Sequence, residues 1–381
     1  MVVLIAILAA LLAGSLVYCV LIIVASRRYL HVAAPVADTA PPVSVLKPLC
    51  GHDEGLEKNL RSFFTQDHPV YEILLAVHRM DDPAVAVAEK IRQEFSATVE
   101  SRLLVTGESP VPNAKAHNLK RLMREARYEL LVMADSDVRV RPDFLSRVAA
   151  EFEDPKVGLL SCPYRAVAGR SLWSRLEAVG MNTELLGGVL VARMLEGMRF
   201  ALGCAVAARK SVLDSMGGFE YLQEFLAEDF VMGNRAAEMG HTVLLSSYLV
   251  EHRIGSQSLV QNMKHRLRWA RSTRRSRPAG YWGQIFTYPL PWALLLLAIE
   301  PAAWPTVVLT ILLRAWAGYA TAVDVAHDPL IRKYWWLLPF QDLLGILVWI
   351  GGFQGGAVVW RNRECTILRD GKLQVDPKEI R

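Results

Sequence analysis

The sequence predicts an α/β domain with a mainly parallel sheet, held between apolar helices near the two ends of the chain. Three observations carry this. Between residues 40 and 280, short and nearly continuous apolar runs alternate with helix-like stretches. Strands buried on both faces read in this way, and the alternation with short connections is that of a parallel sheet. Residues 2–25 contain no charge, and about 20 apolar residues suffice to cross a bilayer core. Long apolar runs return after residue 285.

Taken in order, residues 2–25 are followed at once by Arg27 and Arg28. A cleaved signal carries its basic residues before the apolar run, so this is expected to be a retained anchor covering 1–26, with the following residues on the cytoplasmic side. Strands are predicted at Val43–Leu49, Tyr71–His78, Arg102–Thr106 and Glu129–Ala134, and helices at Glu54–Thr65, Pro83–Phe95, Ala116–Ala126 and Pro142–Phe152. Asp82 is a candidate cap for the second helix, with Pro83 at its first position. Beyond the 40–280 domain, 285–299, 305–323 and 335–360 are apolar, interrupted by Arg314 and Asp342, with Pro289 and Pro291 in the first run. Residues 281–360 are therefore read as interfacial and transmembrane helices, and 361–381 as a basic cytoplasmic tail. Three full crossings after a cytoplasmic domain would put that tail outside, so one of the three elements is expected not to cross fully.

With 52% hydrophobic residues and 21% charged residues over 381 positions, the composition excludes a disordered or collagen-like chain. The five cysteines, Cys19, Cys50, Cys162, Cys204 and Cys365, form no CxxC pair, which argues against a disulfide scaffold or a zinc site. The net charge of +5 is modest, but residues 264–277 (KHRLRWARSTRRSR) hold seven Lys and Arg and no acid. Such a block suits phosphate groups or anionic lipid heads. It lacks a helix-turn-helix or stacking platform, so no nucleic-acid partner is expected. No obligate protein partner is evident either.

Ligands of open α/β sheets sit beyond the carboxyl ends of the strands. Asp81 and Asp82 follow the second strand, and Asp135 and Asp137 follow the fourth. The D-x-D pair is a candidate holder of Mg²⁺ or Mn²⁺, and the alternative is a turn or salt-bridge pair. Glu228-Asp229 opens a helix-like stretch and is either capping chemistry or a general base. Asn113, Lys115 and Asn118 in PNAKAHNL either orient a sugar or phosphate or decorate a loop. Neither GxxxxGK[ST], GxGxxG nor GxSxG occurs, which disfavours P-loop, dinucleotide-binding and serine-hydrolase chemistry.

Over roughly residues 1–370 the chain resembles the ceramide glucosyltransferase family, glycosyltransferase family 21, with the bacterial hopanoid-associated glycosyltransferases as near relatives. The resemblance is carried, in order, by VSVLKPLCGHDEGLEKNLRSFFTQDHPVYEILLAVHRMDDPA, PNAKAHNL, DSDVRVRPDFL, VGLLSCPY, LGCAVAARKSVLDSMGGF, AEDFVMG, RLRW and WRNRECTILRDG. It implies a GT-A-like nucleotide-sugar-binding domain. It also implies that Asp82, with Asp81 beside it, contacts the nucleoside, and that Asp135 and Asp137 contact the nucleotide sugar and its metal. Asp229 would be the base. Arg268 and Trp269 match the end of a Q/R-x-x-R-W motif, whose first position here is His265, a departure from the usual Gln or Arg. The implied activity is inverting transfer of one sugar from a UDP-sugar to a membrane lipid hydroxyl: glucose to ceramide, or alternatively N-acetylglucosamine to a polyhydroxylated hopanoid. A polysaccharide synthase and a non-enzymatic lipid-binding protein are the remoter readings. The expected site is the bacterial inner membrane, with the catalytic domain facing the cytoplasm. Gly187, Gly188 and the stretch Val189–Phe200 are candidate linings for the lipid.

Overall fold

The structure, a computed structural model, describes residues 1–33, 40–360 and 363–375. The expected tail at 361–381 therefore lies partly outside the described residues. The chain forms two compact units, each assembled from separated segments. One contains 33–164, 198–255 and the C-terminal residues from 357. The other contains 1–32, 165–197 and 256–356.

The first unit is built on a seven-stranded sheet. Strands β1 (Val43–Pro48), β2 (Tyr71–Val77), β3 (Glu100–Val105) and β4 (Leu130–Ala134) alternate with helices α2 (Leu56–Phe64), α3 (Pro83–Glu94) and α4 (Ala114–Glu125). These are the predicted elements, with boundaries moved by at most two residues. Helix α5 is shorter than expected, at Phe144–Ala150. It follows a two-residue strand, β5 (Val138–Arg139). The sheet is completed by β6 (Val157–Ser161), β8 (Ala205–Arg209) and β9 (Thr242–Leu245), in the order β3-β2-β1-β4-β8-β6-β9. Pairing is parallel from β3 to β4. Strand β8 runs antiparallel to both β4 and β6, and β9 returns parallel to β6. Strand β7 (Tyr164–Ala168) leads into the second unit, and β10 (Val250–Gly255) pairs antiparallel with β5.

The apolar runs explain the sheet's burial. Leu46, Leu74 and Leu131 are each fully buried, and Leu119, Leu122, Phe219 and Met232 pack around them from α4, α9 (Gly218–Leu222) and α10 (Glu228–Glu238). Each such side chain stabilises by roughly 1.5–3 kcal/mol on leaving water. Glu72, a carboxylate inside this core, is satisfied, as burial demands. Glu72 of β2 accepts from Ser44 Oγ at 2.7 Å and from Arg127 N at 2.8 Å. The predicted cap holds: Asp82 accepts from Ala84 N, with Pro83 at the first helical position. A short helix, α8 (Lys210–Ser215), follows β8. The chain's last described strands, β11 (Ala357–Trp360), β12 (Arg363–Ile367) and β13 (Leu373–Val375), form an antiparallel meander.

The second unit is helical. It contains α1 (Val2–Leu30), then α6 (Leu172–Gly180) joined through a π turn to α7 (Leu186–Glu196), then α11 (Leu259–Ser276), α12 (Pro278–Gly283), α13 (Pro289–Ile299), α14 (Trp304–Tyr319), α15 (Pro329–Tyr334) and α16 (Leu337–Gly352). Among the described residues, three helical stretches are long and apolar enough to cross a membrane: Val2–Leu30, Leu172–Glu196 and Pro301–Val325. The second was not singled out in the sequence, because Arg175, Glu177, Glu184 and Arg193 interrupt it. Pro278–Thr287 and Pro289–Ile299 meet at 54°, a broken span or a re-entrant loop. The bend falls where Pro289 removes a backbone donor. Helix α16 is apolar but only 16 residues long. Small residues let these helices approach: a Cβ at Gly187 of α7 would stand 3.2 Å from the Ile22 side chain of α1. Leu8 and Leu12 of α1 cluster with Ala293 and Leu296 of α13. None of the five cysteines forms a disulfide.

Candidate active site

The D-x-D turn leaves the carboxyl end of β4, in the middle of the sheet. Its backbone is anchored from beneath. Lys47, fully buried in β1, donates to Asp135 O at 2.8 Å and lies 3.7 Å from the centre of the Phe63 ring. Burial pulls this ammonium down to about 7, against the opposing pull of Asp135, Asp137 and Asp53. Ser136 Oγ donates to Asp53 Oδ2 at 2.5 Å, and Asn59 Nδ2 donates to Ser136 O at 3.3 Å. Nothing in the sequence marked Lys47 or Asn59 as supports, since their role depends on the pairing of β1 with β4.

The two carboxylates point to different partners. Asp135 Oδ1 pairs with Lys115 Nζ at 2.7 Å, and Asp137 Oδ2 with His252 Nε2 at 3.1 Å. Burial raises the Asp135 carboxyl, and Lys115 opposes this. Burial would also raise Asp137, but His252 beside it outweighs that and holds it low. Burial alone would discharge Lys115, but Asp135, Glu228 and Asp229 keep its pKa raised.

Lys115 joins this turn to the start of α10. Its ammonium also reaches Glu228 Oε1 at 3.3 Å and donates to Gly203 O at 3.0 Å. Asn113 caps α4 by accepting from Ala116 N at 3.0 Å, and its amide donates to Glu228 Oε2 at 2.9 Å and to Phe225 O at 2.8 Å. Both oxygens of Glu228 are thus occupied, which makes it a frame residue. Asp229, next to it, has no ion-pair partner among the described residues. Burial, and then the neighbouring Glu228, raise Asp229 to about 7. Gly203 leaves the space this needs: a Cβ there would stand 2.7 Å from Asp229 Oδ2. A cavity lined by Lys115, Gly203, Asp229, Leu119, Met133 and Met232 lies against these groups.

Of the residues singled out in the sequence, Asp82, Lys115, Asp135, Asp137 and Asp229 lie in the sheet unit. Asp82 also accepts from Gly51 N at 2.9 Å, so it fixes the loop after β1 as well as capping α3. Asp81 is exposed and bound by Arg79 at 2.8 Å. His265, Arg268 and Trp269 lie on α11 in the helical unit. His265 is engaged by Glu177 through Nδ1, and its ring lies 4.9 Å from that of Trp269.

The donor set fits a divalent cation. Asp137 Oδ1 is buried without a hydrogen-bond partner, the kind of orphan that a missing ion accounts for. No cluster of three or more His, Cys, Asp or Glu is positioned for a metal among the described residues. Asp135 and Asp137 would therefore share the ion with ligand oxygens and water, as Mg²⁺ and Mn²⁺ commonly do on phosphates.

A parallel half-sheet, an inserted antiparallel strand and an acidic turn at the central strand end define the GT-A glycosyltransferase fold. The same fold is seen in the mannosyltransferase PcManGT from Pyrobaculum calidifontis, solved with GDP-Man and Mn²⁺. That similarity has a TM-score of 0.56 at 19% identity and covers 92% of this chain and 99% of the other. The family model for Glycosyl transferase family 21 matches residues 5–373, and the chain belongs to that family. Ceramide glucosyltransferase 1 of Caenorhabditis elegans is 28% identical over 233 residues, 61% of this chain and 49% of that protein. The ceramide glucosyltransferase of Komagataella phaffii is 34% identical over 118 residues, 30% of this chain and 23% of that protein. The chain spans about half the length of the first curated relatives it matches.

Proposed function

We propose that this protein is a membrane-bound inverting glycosyltransferase that moves one sugar from a UDP-sugar to the hydroxyl of a membrane lipid, glucose to ceramide by family. The observation that carries the reading is Asp229: a partly buried carboxylate without an ion pair among the described residues, raised to about 7, beside the Lys115–Asp135 pair. A base needs a pKa near the working pH and freedom from strong partners, and its neighbour Glu228 lacks that freedom. Membership of family 21 and the apolar helices support a lipid acceptor.

In the proposed reaction Asp229 takes the proton of the acceptor hydroxyl. The oxygen attacks the anomeric carbon from the face opposite the diphosphate and forms the new glycosidic bond. The bond from that carbon to the phosphate oxygen breaks, its electron pair leaves with UDP, and the configuration inverts. Asp135 and Asp137 would hold the divalent cation, Mg²⁺ or Mn²⁺, which when bound neutralises the departing diphosphate. Lys115 holds Asp135 in place. Asp82 is assigned to the nucleoside end of the donor, and Arg268, Trp269 and His265 to the diphosphate side. Arg27 and Arg28 in the last turn of α1 favour a cytoplasmic face for the sheet unit, with α1 as the anchor.

The test is mass-resolved transfer by the purified protein in lipid or detergent. UDP-glucose and UDP-N-acetylglucosamine are offered against ceramide and a polyhydroxylated hopanoid, with Mg²⁺ or Mn²⁺. One hexose added to ceramide is the expected result. One N-acetylhexosamine added to the hopanoid would move the acceptor and keep the mechanism. No transfer with any pair would overturn the reading.

A further inference from the structure

The C-terminal segment that the sequence marks only as a basic tail folds back onto the loop leading to Asp229. Leu373 N donates to Glu224 O at 2.7 Å, and Lys372 forms an antiparallel bridge with Phe225. Lys372 Nζ pairs with Glu224 Oε2 at 2.6 Å. Leu226 is buried in a cluster whose other members are Cys365, Ile367 and Leu373, all from the tail. The tail's turn passes close to this loop at Gly371, where φ is +84° and a Cβ would lie 3.8 Å from the Phe225 ring.

The same loop is held on its other side by the site itself. Phe225 O accepts from Asn113, the residue that also holds Glu228 and caps the helix carrying Lys115. Only Ala227 separates the buried Leu226 from Glu228-Asp229. The loop thus lies between two anchors: Asn113, which belongs to the donor side of the site, and the tail segment Cys365–Leu373. Without the tail, Leu226 would face water and Glu224 O would lose its partner. The start of α10 would then be fixed through Asn113 and Lys115 alone.

We propose that the segment Cys365–Leu373 is a positioning element for the reaction: docking on residues 224–226 fixes the start of α10 and so the placement of Asp229. The inference rests on the reading of Asp229 as the base. It assigns to Leu373, Ile367 and Leu226 an influence on turnover greater than on donor binding, because Asp135, Asp137 and Lys115 are anchored by β1, β4 and Gly203 independently of the tail.

The test uses the full chain in detergent, with Leu373→Asp as the disruptive variant, Leu373→Ala as a graded one and Leu373→Met as the conservative one. Donor KM, kcat, thermal unfolding and amide hydrogen exchange of residues 222–230 are read for each. The expected result for Leu373→Asp is a kcat at least tenfold lower, a donor KM within threefold of the wild type, and faster exchange confined to 222–230. Leu373→Ala falls between, and Leu373→Met restores kcat. If Leu373→Asp does not fold, the Ala variant carries the same comparison. An unchanged kcat despite faster exchange at 222–230 overturns the proposal. So does a loss of kcat with equal loss of donor binding and global protection, which is plain destabilisation. A wild-type protein that transfers no sugar overturns the function itself, and is seen before any variant is compared.

Discussion

Asp229 occupies the second position of α10, where the helix N-terminus favours an ionised carboxylate, yet burial and Glu228 raise it to about 7. Only the ionised form accepts a proton, so kcat/KM should rise with pH through about 7 and level off above it. The folded pKa lies above the ordinary 3.8. The stability this carboxyl contributes is therefore complete below about pH 4 and lost as pH rises through about 7. Activity is expected to gain where stability falls, the cost of setting the proposed base in a partly buried site. Glu228→Gln removes the adjacent charge, so the midpoint of the kcat/KM profile should move to lower pH. A midpoint that stays put in that variant would assign the titration to another group. The Asp229 position was legible as a motif residue. Its separation from Glu228 was not, because two adjacent acids look alike until Asn113 and Lys115 are seen to occupy only one of them.

Helix α10 carries Asp229, the proposed base, on a short, tightly seated element. Gly233, one turn beyond Asp229, packs directly on main chain: a Cβ there would stand 2.4 Å from Phe200 C and 2.5 Å from Ala201 N. Backbone cannot swing aside as a side chain can, so Gly233→Ala must shift either α10 or residues 200–201. The expected cost is about 1–3 kcal/mol of stability, with a drop in kcat because Asp229 moves with the helix. Thermal unfolding beside initial rates checks both, and full stability with full activity would mean that α10 is free to slide. The sequence's legibility at this scale follows burial. Strands β1, β2 and β4 announce themselves because they are buried on both faces and largely apolar, whereas β3, at the edge of the sheet, is only partly buried. Strand β8 does not, since AVAAR is short and weakly apolar, and its antiparallel place between β4 and β6 is set by contacts far apart in the chain. The helix Leu172–Glu196 was hidden for a related reason. Its polar residues face partners rather than solvent, as Glu177 does with Asn262 at 2.7 Å.

Across the whole molecule, segments distant in sequence converge in each unit, and this is what the linear reading missed most. It placed residues 40–280 together, whereas 165–197 and 256–280 group with the terminal helices. The two charges that interrupt the C-terminal apolar runs show why the helical unit needs its separate parts. Arg314 of α14 and Asp342 of α16 are 28 positions apart, both almost fully buried, and joined at 2.9 Å through Arg314 Nε and Asp342 Oδ1. Each charge is tolerable among apolar helices because the other is present. Removing one partner strands the other, which costs about 3–5 kcal/mol, whereas replacing both with apolar side chains of similar size is often neutral or stabilising. Asp342→Ala alone should therefore lower the unfolding temperature in detergent markedly, and Arg314→Met with Asp342→Leu should recover most of that loss. If the double variant is as unstable as the single one, the pair does more than join α14 to α16. Its remaining polar atoms, Arg314 Nη1 and Nη2 and Asp342 Oδ2, which are buried without hydrogen-bond partners, would then be the place to seek what else it holds.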